Sequence, residues 1–363
     1  YDLSGYVLDI ILIIGLTTAF FMGLVALVQN DIKRIIAYST ISQLGYMTVA
    51  LGATYYSFAI FHLLTHAFFK ALLFLCAGSI IMKCHHEQNI DKMGGLRKAM
   101  PYTFYTYLIG AFSLAGFPMF SGFYSKDIII DLFKYEGNML VYSFLVLGIF
   151  VTTLYTFKIL FKVFFGDNKL NIQSTDKVEH DDVIIIPLLA LSVPSLIIGF
   201  ALFDSVLFSG FFDTSISDYS RINQIYDGFI ISSQVFTLHA FTTLNFFLLI
   251  LGIYIAYLLY YKNIKLRDGF VNILALPVKI LKGEYGFTYM SDIVIPNKFK
   301  KISLILWEKT DVAIIDNLIV NGIAKKIRAA ASSMRLIQTG FIYHYAFAMI
   351  IGLLLFLLFF YRF

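Results

Sequence analysis

Residues 61–74 read FHLLTHAFFKALLF. His62, His66 and Lys70 recur at i, i+4 and i+8, so on a helix they share an arc of about 80° and span roughly 12 Å of rise. Apart from Thr65, every neighbour is apolar. A charged side chain at bilayer depth costs about 3 kcal/mol or more, so such a residue faces a bundle interior, a partner or water rather than lipid. Histidine titrates near neutrality unaided, and an ammonium group taken out of water gives up its proton more easily. A lone histidine here would read as a hydrogen-bonded structural residue, but three aligned titratable groups point to a pathway. Zinc held by His62 and His66 would need a third ligand, and none is evident nearby.

The rest of the chain fits a lipid setting. Hydrophobic residues fill 59% of the 363 positions and charged residues only 14%, against about 25% charged in soluble domains; mean hydropathy is +0.79. Several apolar runs exceed the roughly 18 residues that read as a membrane helix. The fold class is therefore an all-α polytopic membrane protein, with eight crossings expected at about 6–29, 34–53, 56–82, 101–133, 138–165, 183–204, 237–261 and 341–361. The first residue is Tyr1, not Met, and the chain is expected to be a fragment lacking its N-terminal part.

Charge sorts the loops. Lys33, Arg34, Lys83, Lys92, Arg97, Lys98, Lys158, Lys162, Lys169, Lys177, Lys262, Lys265 and Arg267 fall at one set of span ends. The opposite set carries only Lys134, Arg221 and Arg362, with the acids Asp204, Asp213, Asp218 and Asp227. By the positive-inside rule the first set is cytoplasmic and both ends of the chain face outward.

The fourth crossing, Pro101 to Phe133, is too long for one straight span, and its centre reads AGFPMFSGF over 115–123. Pro118 removes a backbone donor, and Gly116 and Gly122 permit a non-helical path. A break at that depth is tolerated where it is buried in protein or lines a watery cavity; a merely kinked structural helix is the plainer alternative. Lys126 and Asp127 follow the break, with Asp131 one turn on as a further counter-charge. Lys126 reads either as a buried cation meeting freed carbonyls or as a side chain snorkelling to the outer interface. Residues 30–46, NDIKRIIAYSTISQLGY, put Lys33 and Arg34 ahead of a polar seam of Ser39, Thr40, Ser42 and Gln43. The loop KCHHEQN, 83–89, reads as a structural or docking loop, since adjacent histidines chelate poorly together.

From about Pro296 to Thr339 the sequence reads as one long helix. Its stripe of Val312, Ile315, Ile319, Ile323, Ile327, Ala330, Met334 and Ile337 would lie on other proteins or at the lipid interface. Cys76 and Cys84 have no C-x-x-C spacing, and neither G-x-G-x-x-G nor G-x-x-x-x-G-K-[ST] occurs, so no home for flavin, nicotinamide, iron–sulfur or ATP is visible.

Four of these stretches, QNDIKRIIAYSTISQLGYM, FHLLTHAFFKALLFL, CHHEQNIDKMGGLRKAMP and GFYSKD, together resemble the L-type subunit family of proton-pumping NADH–quinone oxidoreductase, respiratory complex I, whose mitochondrial counterpart is chain 5. The first two are shared more loosely with Mrp sodium/proton antiporters and membrane-bound hydrogenases. The resemblance implies that 1–165 is the second of two inverted five-helix repeats, 166–290 two further crossings with loops, 291–340 the lateral amphipathic helix and 341–363 a C-terminal anchor. It implies a proton path over Lys33, His62, His66, Lys70, Lys126 and Asp127. It implies no cofactor in this chain, with NADH or another donor, FMN, iron–sulfur clusters and quinone in partner subunits. Other membrane-arm subunits, protons and the lipid bilayer are the expected partners, nucleic acid is not, and a bacterial inner membrane is expected ahead of a mitochondrial one. Pro118-Met119 departs from the family, many members of which carry a second proline there. An antiporter or hydrogenase subunit, and a structural clamp of the membrane arm, are the competing readings.

Overall fold

The computed structural model describes residues 5–167, 169, 182–212 and 232–361. Lys177, Asp213, Asp218, Arg221, Asp227 and Arg362, used in the charge count above, lie outside the described residues. The regular structure of the described residues is all helical, with a single isolated bridge, Asp31 to Asn89, and no strand among them. It is an all-α polytopic membrane protein.

The first unit runs to Tyr285. Its helices are α1 (Gly5–Val28), α2 (Ile32–Gly52), α3 (Tyr56–Lys83), α4 (Pro101–Ala115), α5 (Ser121–Tyr135), α6 (Met139–Phe164), α7 (Asp182–Leu207), α8 (Ser233–Ala240) and α9 (Leu244–Tyr257). A π turn, Leu258–Lys262, extends α9, and two short helices follow, α10 (Ile264–Ile273) and α11 (Ala275–Lys282). Among the described residues six helices are long and apolar enough to cross a membrane: α1, α3, α6, α7, α9 with its π turn, and Ile342–Tyr361. The eight-crossing reading adds α2, whose polar seam lowers its hydropathy, and the broken pair α4–α5. One boundary is corrected. The crossing expected at 237–261 begins at Leu244, because Thr243 accepts from the Phe246 N–H and caps a new helix there, leaving α8 as a separate short helix.

Close approach of backbones holds α1 against α2. A Cβ added at Gly45 would lie 2.6 Å from the Ala19 Cα, one at Gly52 2.7 Å from the Leu12 Cα, and one at Gly15 2.5 Å from the Val49 nitrogen. Small residues are the usual means of helix contact in lipid, where water supplies no hydrophobic drive between spans. The Ser42 hydroxyl adds a hydrogen bond to the Ala19 carbonyl at 2.6 Å. Gly45→Val is therefore expected to separate α1 from α2 and to prevent stable accumulation of the chain in membranes, as read by immunoblot and by a shift on a native gel; wild-type accumulation would refute this packing account.

The broken pair has a clear local cause. α4 ends when Gly116 turns into the left-handed region, φ +85, with the Gly116 and Phe117 N–H groups both returning to the Phe112 carbonyl at 3.1 and 2.9 Å. Glycine adopts that conformation without a Cβ penalty. Pro118 sits in the non-helical link, and α5 restarts at Ser121, with the Gly122 N–H donating to Ser113 Oγ at 3.0 Å.

The basic span ends are knitted together. The Ile32 N–H donates to Gln88 O at 3.0 Å and the Ile90 N–H to Asn30 O at 2.9 Å, docking the 83–100 loop on the start of α2; the Leu96 and Arg97 N–H groups reach Val163 and Phe164 carbonyls. In that loop His85 and His86 are exposed at positive φ, 51 and 66. Lys92, with the Asn89 and Gln88 N–H groups, holds the Glu87 carboxyl below its ordinary range. At the opposite end Asp204 accepts from the Ser233 N–H and hydroxyl at 3.0 and 2.9 Å.

The second unit spans Gly286–Phe363. From Phe287 to Ile337 it is helical without a break, but two stretches, Met290–Val294 and Trp307–Val320, are π-helix. That changes the expected single α-period: bonds to i+5 lengthen each turn, so Val312 and Ile315 follow a different pitch from Ile323, Ile327 and Met334. Apart from the half-buried Val312, the large apolar residues of the stripe are exposed, as is most of the apolar helix Ile342–Tyr361.

Candidate functional site

All of His62, His66 and Lys70 are buried, together with seventeen α3 positions in total that turn inward. The row faces α2, α5 and α6. The Lys70 ammonium group donates a short hydrogen bond to Ser39 Oγ, and Ser39 donates to Ile36 O at 2.7 Å. One turn on, Gln43 Oε1 lies 3.2 Å from His62 Nε2, and the other ring nitrogen, Nδ1, is 2.8 Å from Ser125 Oγ on α5. The Thr65 hydroxyl joins them, 2.6 Å from Ser125 Oγ and 3.1 Å from His62 O, to which it is placed to donate. The Tyr155 hydroxyl of α6, fully buried, lies beside Ser39 and Gln43 with no aligned hydrogen bond of its own. Half of the polar seam thus serves the axis: Ser39 and Gln43 point at α3, Ser42 at α1, and Thr40 back to its own helix.

Lys126, adjacent to Ser125, is wholly buried, which removes the snorkelling alternative. Its ammonium group donates to the Leu114 and Ala115 carbonyls at 3.1 and 2.9 Å. Those acceptors exist because α4 stops at Ala115, leaving carbonyls without an intrahelical donor. Asp127 lies within electrostatic range of Lys126 but not within ion-pair distance. Its Oδ1 is buried without a hydrogen-bond partner, as is His66 Nε2. Asp131, one turn along α5, accepts from Asn245 Nδ2 of α9 at 3.4 Å. Lys70 and Lys126 both lie within electrostatic range of His62, so the two amines and the imidazole between them form one charged neighbourhood. Chemically, each member either holds a transferable hydrogen or can accept one, and a charge on one raises the cost of charging the next.

The structure separates Lys33 from this group. It is exposed on the first turn of α2, about 9 Å of helical rise from Ser39. Lys158, read from sequence only as a charged span end, is buried at the basic end, as is Lys83. The Lys158 ammonium group donates to Leu27 O (2.8 Å), Gln29 O (2.6 Å) and Asn30 Oδ1 (3.3 Å), closing the C-terminus of α1. Its placement in YTFKIL, one turn beyond Tyr155, is the signal that pointed inward. No cluster of three or more metal-ligating side chains occurs among the described residues.

Residues 2–154 match the family described as NADH:quinone oxidoreductase/Mrp antiporter, TM. NADH-quinone oxidoreductase subunit L of Neisseria meningitidis serogroup A is 41% identical over 388 residues, covering 98% of this chain and 56% of the relative. Over residues 2–154 the chain matches this antiporter-like family. NADH-ubiquinone oxidoreductase chain 5 of Phytophthora infestans is 36% identical, covering 97% of this chain and 54% of the relative. Among solved structures, a chain of the Mrp complex from Dietzia sp. is 20% identical, with a TM-score of 0.48 over 68% of this chain and 49% of that one. The chain therefore spans about half the length of the curated family members it matches.

Proposed function

We propose that this chain translocates protons as a membrane subunit of an NADH–quinone oxidoreductase and performs no redox chemistry itself. One observation carries the reading: Lys70–Ser39 and Gln43–His62–Ser125 are buried hydrogen-bonded groups with the Tyr155 hydroxyl beside both, and Lys126 lies next to them in a helix break. The names of the L-type and chain 5 relatives support the same assignment. Protons arrive from the basic, cytoplasmic end, where Lys33 stands at the surface, pass along Lys70, His66 and His62, and leave outward by Lys126 and Asp127. The drive is a change of charge beside each amine, which alters its proton occupancy.

Electron donor, FMN, iron–sulfur clusters and quinone belong, on this reading, to partner subunits of the membrane and peripheral arms. The bacterial inner membrane is the setting. The four-part division at 165, 290 and 340 follows the same assignment.

Lys70→Met tests the proposal in the assembled enzyme reconstituted in vesicles. The proton-to-electron ratio is expected to fall while quinone reduction with an uncoupler stays near wild type; an unchanged ratio sinks the axis. The exposed stripe of the second unit favours a second role, bracing neighbouring subunits. Ile319→Asp with Ile323→Asp is expected to impair assembly on native gels, whereas normal assembly would remove that role. Should axis variants pump fully while the stripe variant fails to assemble, bracing alone remains.

A further inference from the structure

Where the ends of α1 and α6 meet α10 and α11, the basic end of the first unit encloses a cavity of about 240 Å³. Lys158, Lys162, Arg267 and Lys282 line it, against two carboxylates, Asp91 and Asp268. Four cations less two anions leave a surplus of two positive charges. The carboxylates are already engaged. Asp91 pairs with Lys162 and lies 3.8 Å from Arg267, and Asp268 pairs with Arg267 at 2.8 Å. Lys158 spends its donors on neutral oxygens. Lys282 is exposed and makes no hydrogen bond or ion pair among the described residues, yet lies within electrostatic range of Lys158. Of the four cations, Lys158 and Lys282 have no ion-pair partner among the described residues.

The opposite wall is apolar. Phe270 of α10, Val278 of α11 and Leu274 between them line it; neither helix has a buried residue, and Phe270 and Leu274 are exposed. These helices follow directly on the span that ends at Lys262, at the level where headgroups lie. Helices with one apolar and one basic face settle in that layer, and basic pockets between spans on the cytoplasmic side take anionic headgroups. The geometry points to a site for the phosphodiester headgroup of an anionic phospholipid, its phosphate beside Lys282 and Arg267 and its acyl chains along Phe270, Leu274 and Val278. A free phosphate ion would use the charge and leave the apolar wall in contact with water; a lipid covers both. The inference is independent of the proton-transfer reading.

The test uses the assembled enzyme in phosphatidylcholine vesicles containing a trace of photoactivatable phosphatidylglycerol. Mass spectrometry of the photolysed enzyme is expected to find adducts within residues 264–282, with about fivefold fewer in Lys282→Gln. Lys282 is exposed, so that variant retains its fold; Arg267→Lys, which keeps the charge facing Asp91, is expected to label as wild type. Excess inorganic phosphate is expected to leave the adducts in place; competition by it would assign the site to free phosphate and overturn the lipid. Equal labelling by a photoactivatable phosphatidylcholine, absence of adducts in this segment, or wild-type labelling of Lys282→Gln would each overturn the proposal.

Discussion

Lys126→Met is expected to stop proton translocation through this chain while the enzyme still assembles. Methionine matches the length of the lysine stem but carries no exchangeable hydrogen. Two consequences follow from the geometry. The Leu114 and Ala115 carbonyls lose the donor that now sits 3.1 and 2.9 Å away, at about 1–3 kcal/mol for each buried acceptor left unsatisfied. Asp127 loses its nearest cation, and a buried carboxylate without one avoids that penalty by taking up a proton. The outward end of the axis then has no amine to receive a proton from Ser125 and His62. Lys126→Arg separates charge from exchange. The guanidinium group can donate to both carbonyls yet does not deprotonate in a protein, so it is expected to restore stability without restoring pumping. The measurement is the proton-to-electron ratio in vesicles, with native gels and thermal melting for assembly. Full pumping by either variant would take Lys126 out of the path.

How much of this was legible before folding depends on whether a signal was local. Helix existence was, because runs of apolar residues with capping residues such as Asp31 and Asn138 specify their own ends. The break at 116–120 was legible from glycine and proline, and its capture of Lys126 followed once α4 was seen to stop eleven residues before it. The partners of the axis were less so. Ser125, Tyr155 and Asn245 come from α5, α6 and α9, and nothing in their own segments says that they meet the buried polar groups of α2, α3 and α5. Lys33 and Lys158 show the limit of a charge count: both look like positive-inside anchors, yet one is exposed and the other is 3% exposed and caps α1. Depth in the bundle depends on which helices pack together, which is non-local. The π stretches of the second unit carry no sequence mark beyond an apolar period that drifts between three and four.

Gly116 supplies the second large effect, since it fixes the site without contributing an atom to proton exchange. Its φ of +85 lies in the left-handed region, which costs other L-residues roughly 1–2 kcal/mol. A Cβ there would also stand 2.9 Å from Asp127 Oδ1 and 3.3 Å from Lys126 Cε. Gly116→Ala combines both penalties. To relieve the contact, either the Asp127 carboxylate or the Lys126 stem must shift by several tenths of an ångström, and the carboxylate has no hydrogen bond on Oδ1 to resist. The same turn holds the Gly116 and Phe117 N–H groups on the Phe112 carbonyl, so relaxing φ would also move the Leu114 and Ala115 carbonyls that receive the lysine. Loss of stability of about 1–3 kcal/mol is expected, and pumping is expected to fall even in the fraction that assembles. Gly137 is the control: it has φ +76 but open space around its Cβ position. Gly137→Ala carries the backbone penalty alone and is expected to lower thermal stability while leaving the proton-to-electron ratio unchanged. If the two variants pump equally well, crowding of the Lys126–Asp127 pair is not what makes Gly116 matter, and the turn serves only to end α4.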